Sequence, residues 1–324
     1  MLKRRGVLAG AAGFSIVSAS AVRAQAWPSQ PIKIVVPYIP GGATDTAGRV
    51  LAEKLTSLVG QQVIVENRGG GNTIIGMELV AKSKPDGHTL LLGTTTLATN
   101  AALGLKQPYD PLKDFQPIST LADIPDIVAV HPSVPAKTLP ELVEWLNKQP
   151  QTVRYGTSGV GNQPHLWAEL LRSRLNMKME NVAYKGVADT LRDVLAGHVP
   201  IIIDVVLPTG NHVAAGRLNG ICVASPERSS ICPNVPTVGE LGMKDMESAV
   251  FYGVVAPAGV PRPIIDKLND LVHQAIKDPV VIKKYSDLGF FMTGSTPEAY
   301  LEKLKFETAR WTKVVKDNGI KVEG

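Results

Sequence analysis

Only two of the 324 residues are cysteine, Cys222 and Cys232. At most one disulfide is available, and two unlinked thiols, Cys222 in the core and Cys232 in a loop, are the other reading; spacing does not choose between them. Aromatic residues make up 5% of the chain and nowhere interleave with lysine or arginine. No basic stripe runs along any segment, so a nucleic-acid partner is excluded. The six histidines (His88, His131, His165, His198, His212, His273) show no metal-ligand spacing with each other or with the cysteines. No metal and no cofactor are therefore expected. Internal repeats and low-complexity tracts are absent. No apolar run reaches the ~20 residues that a membrane span needs.

The basic excess is also thin. The formal net charge is +5, but Lys3, Arg4, Arg5 and Arg23 all lie in the first 26 residues. That segment has a positive start, an apolar small-residue stretch from Gly6 to Ser20, and a small-x-small site at Ala24-Gln25-Ala26. It reads as a cleaved export signal, residues 1–26, which places the mature chain in the periplasm starting at Trp27. Arg4-Arg5 before Gly6-Val7-Leu8 fits both twin-arginine and general secretion. Without the signal, 30 basic residues face 29 acidic ones, and net charge says little about partners. About 298 residues remain, enough for two domains with separate cores.

What is present is an alternation of short β-rich runs with amphipathic stretches, the pattern of an α/β fold with largely parallel sheets. The expected strands are Ile32–Val36, Val63–Glu66, Thr89–Leu92, Ile127–Val130, Val153–Tyr155, Asn181–Ala183, Ile201–Ile203, Gly220–Val223 and Phe251–Val255. Several are continuous apolar runs, as strands covered on both faces should be. A helix from Thr44 to Val59 places Ala47, Val50, Leu51, Leu55 and Leu58 on one face and stops at Gly60. Thr138-Leu139-Pro140-Glu141 and Ser295-Thr296-Pro297-Glu298 read as capping boxes, and Pro164 and Pro263 sit at helix starts. Proline-punctuated crossings near Ile124-Pro125 and Ser248–Pro257 divide the chain. Residues 27–124 plus 251–324 are expected to form lobe 1 and residues 125–250 lobe 2, with a two-strand hinge and a cleft between them.

Two strand-to-helix turns carry the candidate chemistry. The first is Pro40-Gly41-Gly42-Ala43-Thr44-Asp45. A helix start of this kind aims unpaired N–H groups at one point, where the helix dipole is positive. No lysine follows, so this is not a nucleoside-triphosphate loop, and a carboxylate fits better. Gly41 and Gly42 let backbone approach a ligand, Thr44 adds a hydroxyl, and Asp45 reads as a helix cap. The second turn runs from Tyr155 to His165 and offers Thr157, Ser158, Gly159, Asn162 and His165. Val160 breaks Gly-x-Ser-x-Gly, and Pro164 breaks a dinucleotide fingerprint. A helix N-terminus disfavours a charged His165, which points to a neutral orienting role. Tyr184 and Lys185 follow another strand, Lys185 being equally readable as a solvated surface lysine. Asp204 ends the apolar Ile201-Ile202-Ile203 run and is expected to face a ligand or cap the next turn.

Taken together, several segments resemble one family. They are Trp27-Pro28, Pro37-Tyr38-Ile39-Pro40-Gly41-Gly42-Ala43-Thr44-Asp45, Val65-Glu66-Asn67-Arg68, Lys84-Pro85-Asp86-Gly87-His88-Thr89, Tyr184-Lys185-Gly186, Pro233-Asn234-Val235-Pro236-Thr237 and Ala256-Pro257-Ala258-Gly259-Val260-Pro261. The mature chain resembles the Bug family, periplasmic solute-binding receptors of tripartite tricarboxylate transporters. The resemblance implies a two-lobed Venus-flytrap fold in which loops from both lobes pinch one ligand carboxylate through backbone N–H groups and water. Carried onto this chain, those loops are Gly41 to Asp45, with Tyr38 just before, and Thr157 to His165. Thr94 and Thr95 fall where family members also line the cleft. The chain departs from the family at Val250-Phe251-Tyr252, where a tryptophan-containing strand is common.

The expectation is a monomeric binding protein, not an enzyme, that captures a small organic carboxylate and presents it to membrane transporter subunits. Two alternatives are a ligand sensor serving a signalling partner and an exported hydrolase using Ser158 and His165. The hydrolase needs an acid to orient His165, and none is placed to do so.

Overall fold

The computed structural model describes residues 27–322, and the expected export signal, residues 1–26, lies outside the described residues. Apolar runs form the strands and amphipathic stretches form the helices between them. In chain order the first half is β1 (Ile32–Val36), α1 (Ala43–Val59), β2 (Val63–Asn67), α2 (Ile74–Ala81), β3 (Thr89–Thr94), α3 (Thr96–Ala102), β4 (Phe115–Val130), α4 (Leu139–Lys148), β5 (Val153–Thr157) and α5 (Gln163–Arg174). The second half is β6 (Met179–Ala183), α6 (Val187–Leu195), β7 (Ile201–Val205), α7 (Val206–Ala214), β8 (Asn219–Val223), β9 (Ala249–Pro257), α8 (Arg262–Ile276), α9 (Pro279–Asp287), β10 (Phe291–Met292) and α10 (Pro297–Asn318).

The strands run in the order β2-β1-β3-β9-β4-β7-β5-β6, with β10 and β8 added on β4. Strands β1, β2 and β3 are parallel, and β9 is antiparallel to β3 and β4. On the far side β5, β6 and β7 are parallel, and β4 runs antiparallel to β7. Strand β4 belongs to both halves. Phe115 to Pro125 pair with β9, whereas Asp126 to Val130 pair with β7 and β8. Pro125 has no N–H to give the ladder, and the partner changes directly after it. Two register shifts beside Pro117 and Thr120 absorb further irregularity.

Helices cover both faces of each half. Core residues such as Ile34, Leu51, Leu90 and Val254 pack on one side of the first sheet, and Val35, Met77 and Tyr300 on the other. Trp167, Tyr155 and Ile203 centre the core of the second half. Helix α10 joins both: Tyr300 and Leu304 enter the first half's core, while Trp311 and Val314 are buried in the second. Helix α10 thus packs against the cores of both halves.

Local signals also resolve. Gly60 ends α1 in a left-handed conformation, and Thr138 and Glu141 form the capping box of α4. At α10 the cap is Thr296, bonded to Ala299 N–H, rather than a Ser295–Glu298 box. Ser295 instead exchanges hydrogen bonds with Ser119 and Thr120 on β4. Both cysteines are free and buried. Among the described residues no helix is long and apolar enough to cross a membrane.

Candidate functional site

Register alone brings the two glycine turns to one place. Thr94, the last residue of β3, lies opposite Tyr252, and Ala249 of β9 lies opposite Pro125. The carboxyl ends of β3 and its parallel neighbour β1 therefore point at the boundary where β4 changes partner. From the other side, Val205, the last residue of β7, lies opposite Asp126. Parallel β5 ends in the same direction. Both turns thus open on the crevice beyond the strand ends, where open α/β sheets bind ligands.

In the first turn Gly42 is the N-cap of α1 and makes no side-chain cap bond. The N–H groups of the first helical residues, Ala43, Thr44 and Asp45, have no acceptor inside the helix. Gly41, Gly42 and Ala43 are exposed. Asp45 does not cap α1. Its Oδ2 accepts from Gly41 N–H at 2.9 Å and Arg49 Nε at 3.0 Å, and its Oδ1 from Asn67 Nδ2 at 2.9 Å. Burial favours protonation of this carboxyl, but those hydrogen bonds outweigh it and hold the group below its ordinary range. Asp45 is an ionised brace beneath the turn, and its oxygens are not available to a ligand. Gly41 has φ +87°, which glycine adopts without strain. A Cβ built on Gly42 would meet no atom within 4 Å.

Hydroxyl groups line the same strand ends. Tyr38 Oη and Thr94 Oγ1 are 2.8 Å apart, and Thr94 Oγ1 lies 2.9 Å from Thr96 Oγ1. Thr95 is buried at the N-cap of α3. Thr44 Oγ1 is 3.3 Å from Tyr252 Oη. Tyr252 is absent from the residues expected at the site, although it stands at the departure from the family pattern. A third glycine turn, Gly69-Gly70-Gly71, follows β2 and is likewise outside the expected site residues. Behind it Asn100 accepts from Asn72 Nδ2 at 2.8 Å and donates to Asn72 O at 2.8 Å, and Thr73 donates to Thr96 at 3.1 Å. Like the other two turns, this one sets glycine between a strand and a helix, β2 and α2.

The second turn is braced from inside. Ser158 N–H donates to Asp204 Oδ2 at 2.9 Å, and Asp204 Oδ1 accepts from Val205 N–H at 2.9 Å. Asp204 is buried, and burial pushes its carboxyl up to about 6 against those bonds. Its expected ligand-facing role gives way to holding the loop. Asn162 caps α5 by accepting from His165 N–H at 3.0 Å and donates to Ser158 Oγ at 2.9 Å. His165 Nδ1 accepts from Gly161 N–H at 2.9 Å. Burial lowers the histidine's proton affinity, so the ring is neutral with its proton on Nε2. Thr157 is fully buried and donates to Asn181 Oδ1 at 2.9 Å. Tyr184 Oη donates to Asp193 at 2.9 Å, and Lys185 is exposed. Gly159 is half-buried and its neighbour Val160 is exposed. A cavity of about 530 Å³, lined by Asp123, Pro125, Phe291, Lys303 and Arg310 among others, lies along the crossing strands and includes no residue of either turn.

Two α/β halves joined by crossing strands, with strand ends and braced glycine turns facing one crevice, define a two-lobed binding protein of the periplasmic-binding-protein fold. The model of the tripartite tricarboxylate transporter family receptor, TctC, matches residues 47–320, and the chain belongs to that family. It is 33% identical to BugT of Bordetella pertussis over 307 residues, 94% of each chain. The structure of the periplasmic binding protein BugD aligns with a TM-score of 0.74 at 30% identity, covering 92% of this chain and 100% of that one. The R. palustris protein Rpa4515, solved with adipate, aligns with a TM-score of 0.77 at 32% identity, covering 91% and 99%. The protein is a solute-binding receptor of this family.

Proposed function

We propose that the protein captures a small organic carboxylate between its lobes in the periplasm and delivers it, as a monomer, to a tripartite tricarboxylate-type transporter in the membrane. The lobes we assign are residues 27–124 with 251–324, and 125–250, and residues 1–26 act as the export signal. One observation carries the ligand class: the unpaired N–H groups at the start of α1 form an anion cradle behind the exposed Gly41–Ala43 turn, while Asp45 beneath them is fully engaged by donors. The occupied relative supports a carboxylate, since adipate carries one at each end. Closure follows from the ligand's preference for the closed state.

The contacts of the second turn favour binding over hydrolysis. Ser158 Oγ accepts from Asn162, and His165 Nδ1 is taken by Gly161 N–H. A nucleophile needs a base within hydrogen-bond reach, and these partners serve the loop instead. Thermal shift with a panel of mono-, di- and tricarboxylates tests the proposal. At least one should raise the melting temperature in proportion to the logarithm of its concentration. Consumption of a ligand, lost in Ser158→Ala, would overturn it.

A further inference from the structure

Asp126 is the first residue of β4 on the second half of the molecule and is fully buried. Gln163, the first residue of α5, is also buried and donates from Nε2 to Asp126 Oδ2 at 2.7 Å. The same Nε2 donates to Ser248 Oγ, in the residue just before β9. The cluster therefore ties both crossing strands to the helix that carries the second ligand turn. Two acceptors in it have no donor among the described residues: Asp126 Oδ1 and Gln163 Oε1. A buried acceptor left without a donor has lost its water and gained nothing in exchange. A single proton removes both defects, because a carboxylic acid and a primary amide are complementary. The amide N–H donates to one acid oxygen, and the acid O–H donates to the amide oxygen.

We propose that Asp126 is a neutral carboxylic acid in the folded protein, its O–H donating to Gln163 Oε1, and that this acid–amide ring positions the second ligand turn on the hinge. The charged groups around it agree. Asp204, on neighbouring β7, adds a second carboxylate. Arg310 of α10 opposes it but is engaged by Glu247 O at 2.9 Å and shares Glu307 and Asp245 as acidic neighbours. From α5 and from the residue before β9 come only the neutral Gln163 and Ser248. Burial pushes the carboxyl up to about 8, against the bonds from Gln163 and Ser248 and the charge of Arg310, and with that of Asp204.

The chemistry of the ring does not depend on the ligand, so it can be tested apart from the proposed function. Asp126→Asn is the isosteric control, since an amide pair keeps both hydrogen bonds without a titratable proton. In the infrared difference between wild type and Asp126→Asn at neutral pH, a carboxylic-acid carbonyl band should be present, and it should vanish as pH passes about 8. The unfolded chain ionises Asp126 near the ordinary value, so this group weakens folding as pH rises between the two values. The folding constant of the wild type should fall up to ~10-fold more per pH unit between pH 5 and 7 than that of Asp126→Asn. Gln163→Leu should accelerate amide exchange at Gly161, whereas Asp126→Asn should not. An absent acid band, together with equal pH slopes in wild type and Asp126→Asn, overturns the proposal. If Asp126→Asn does not fold, the pH titration of the wild-type band decides, and loss of all carboxylic-acid bands below pH 6 overturns it.

Discussion

At the scale of single residues, the first turn separates a ligand effect from a folding effect. Gly42 has an extended backbone, φ −81° and ψ 173°, and open space where a Cβ would sit. Gly42→Val should leave unfolding close to wild type while weakening carboxylate binding by more than ~10-fold, about 1.4 kcal/mol, as read by titration calorimetry. Asp45 behaves in the opposite way. Its folded carboxyl is held below the ordinary range, so its contribution is present above that range and lost as pH falls through the folded value. Asp45→Asn should cost roughly 1–3 kcal/mol at neutral pH, and denaturant titrations near pH 3 should show that deficit shrinking. The turns at Gly41-Gly42 and Gly156–Gly161 were legible because glycine between a strand and a helix frees backbone N–H groups, and the same signal at Gly69-Gly70-Gly71 was outside the expected site. It did not reveal Asp204 as a brace, because Ser158 lies 46 positions away. The partner of Asp126 is likewise 37 positions off.

At the scale of elements, apolar runs were readable as strands wherever they were short and uninterrupted, as in Ile201-Ile202-Ile203. The first half of β4 was not, since Pro117, Pro125 and two register shifts break its pattern. Helices α2 and α3 escaped because they are short and buried against the sheet rather than clearly two-faced. Helix α10 was legible as a helix but not as a clamp. Its Trp311 is fully buried among second-half residues, about three helical turns beyond Tyr300, whose contacts lie in the first half. Trp311→Ala should therefore lower stability by ~3–5 kcal/mol. In a denaturant titration followed by circular dichroism, both halves should still unfold in one transition.

At the scale of the whole molecule, the account joins two braced turns across a crevice and leaves backbone donors for one anionic group. Small-angle scattering should show a smaller radius of gyration when a binding carboxylate is added, as expected for lobe closure. The central claim is that charge on a carboxylate, met by the start of α1, holds the ligand. Calorimetry with a binding carboxylate and its neutral primary-amide analogue tests this most directly. The predicted result is one-to-one binding of the acid and at least ~10-fold weaker binding of the amide, with the difference abolished in Gly42→Val. Equal binding of acid and amide by the wild type would contradict it.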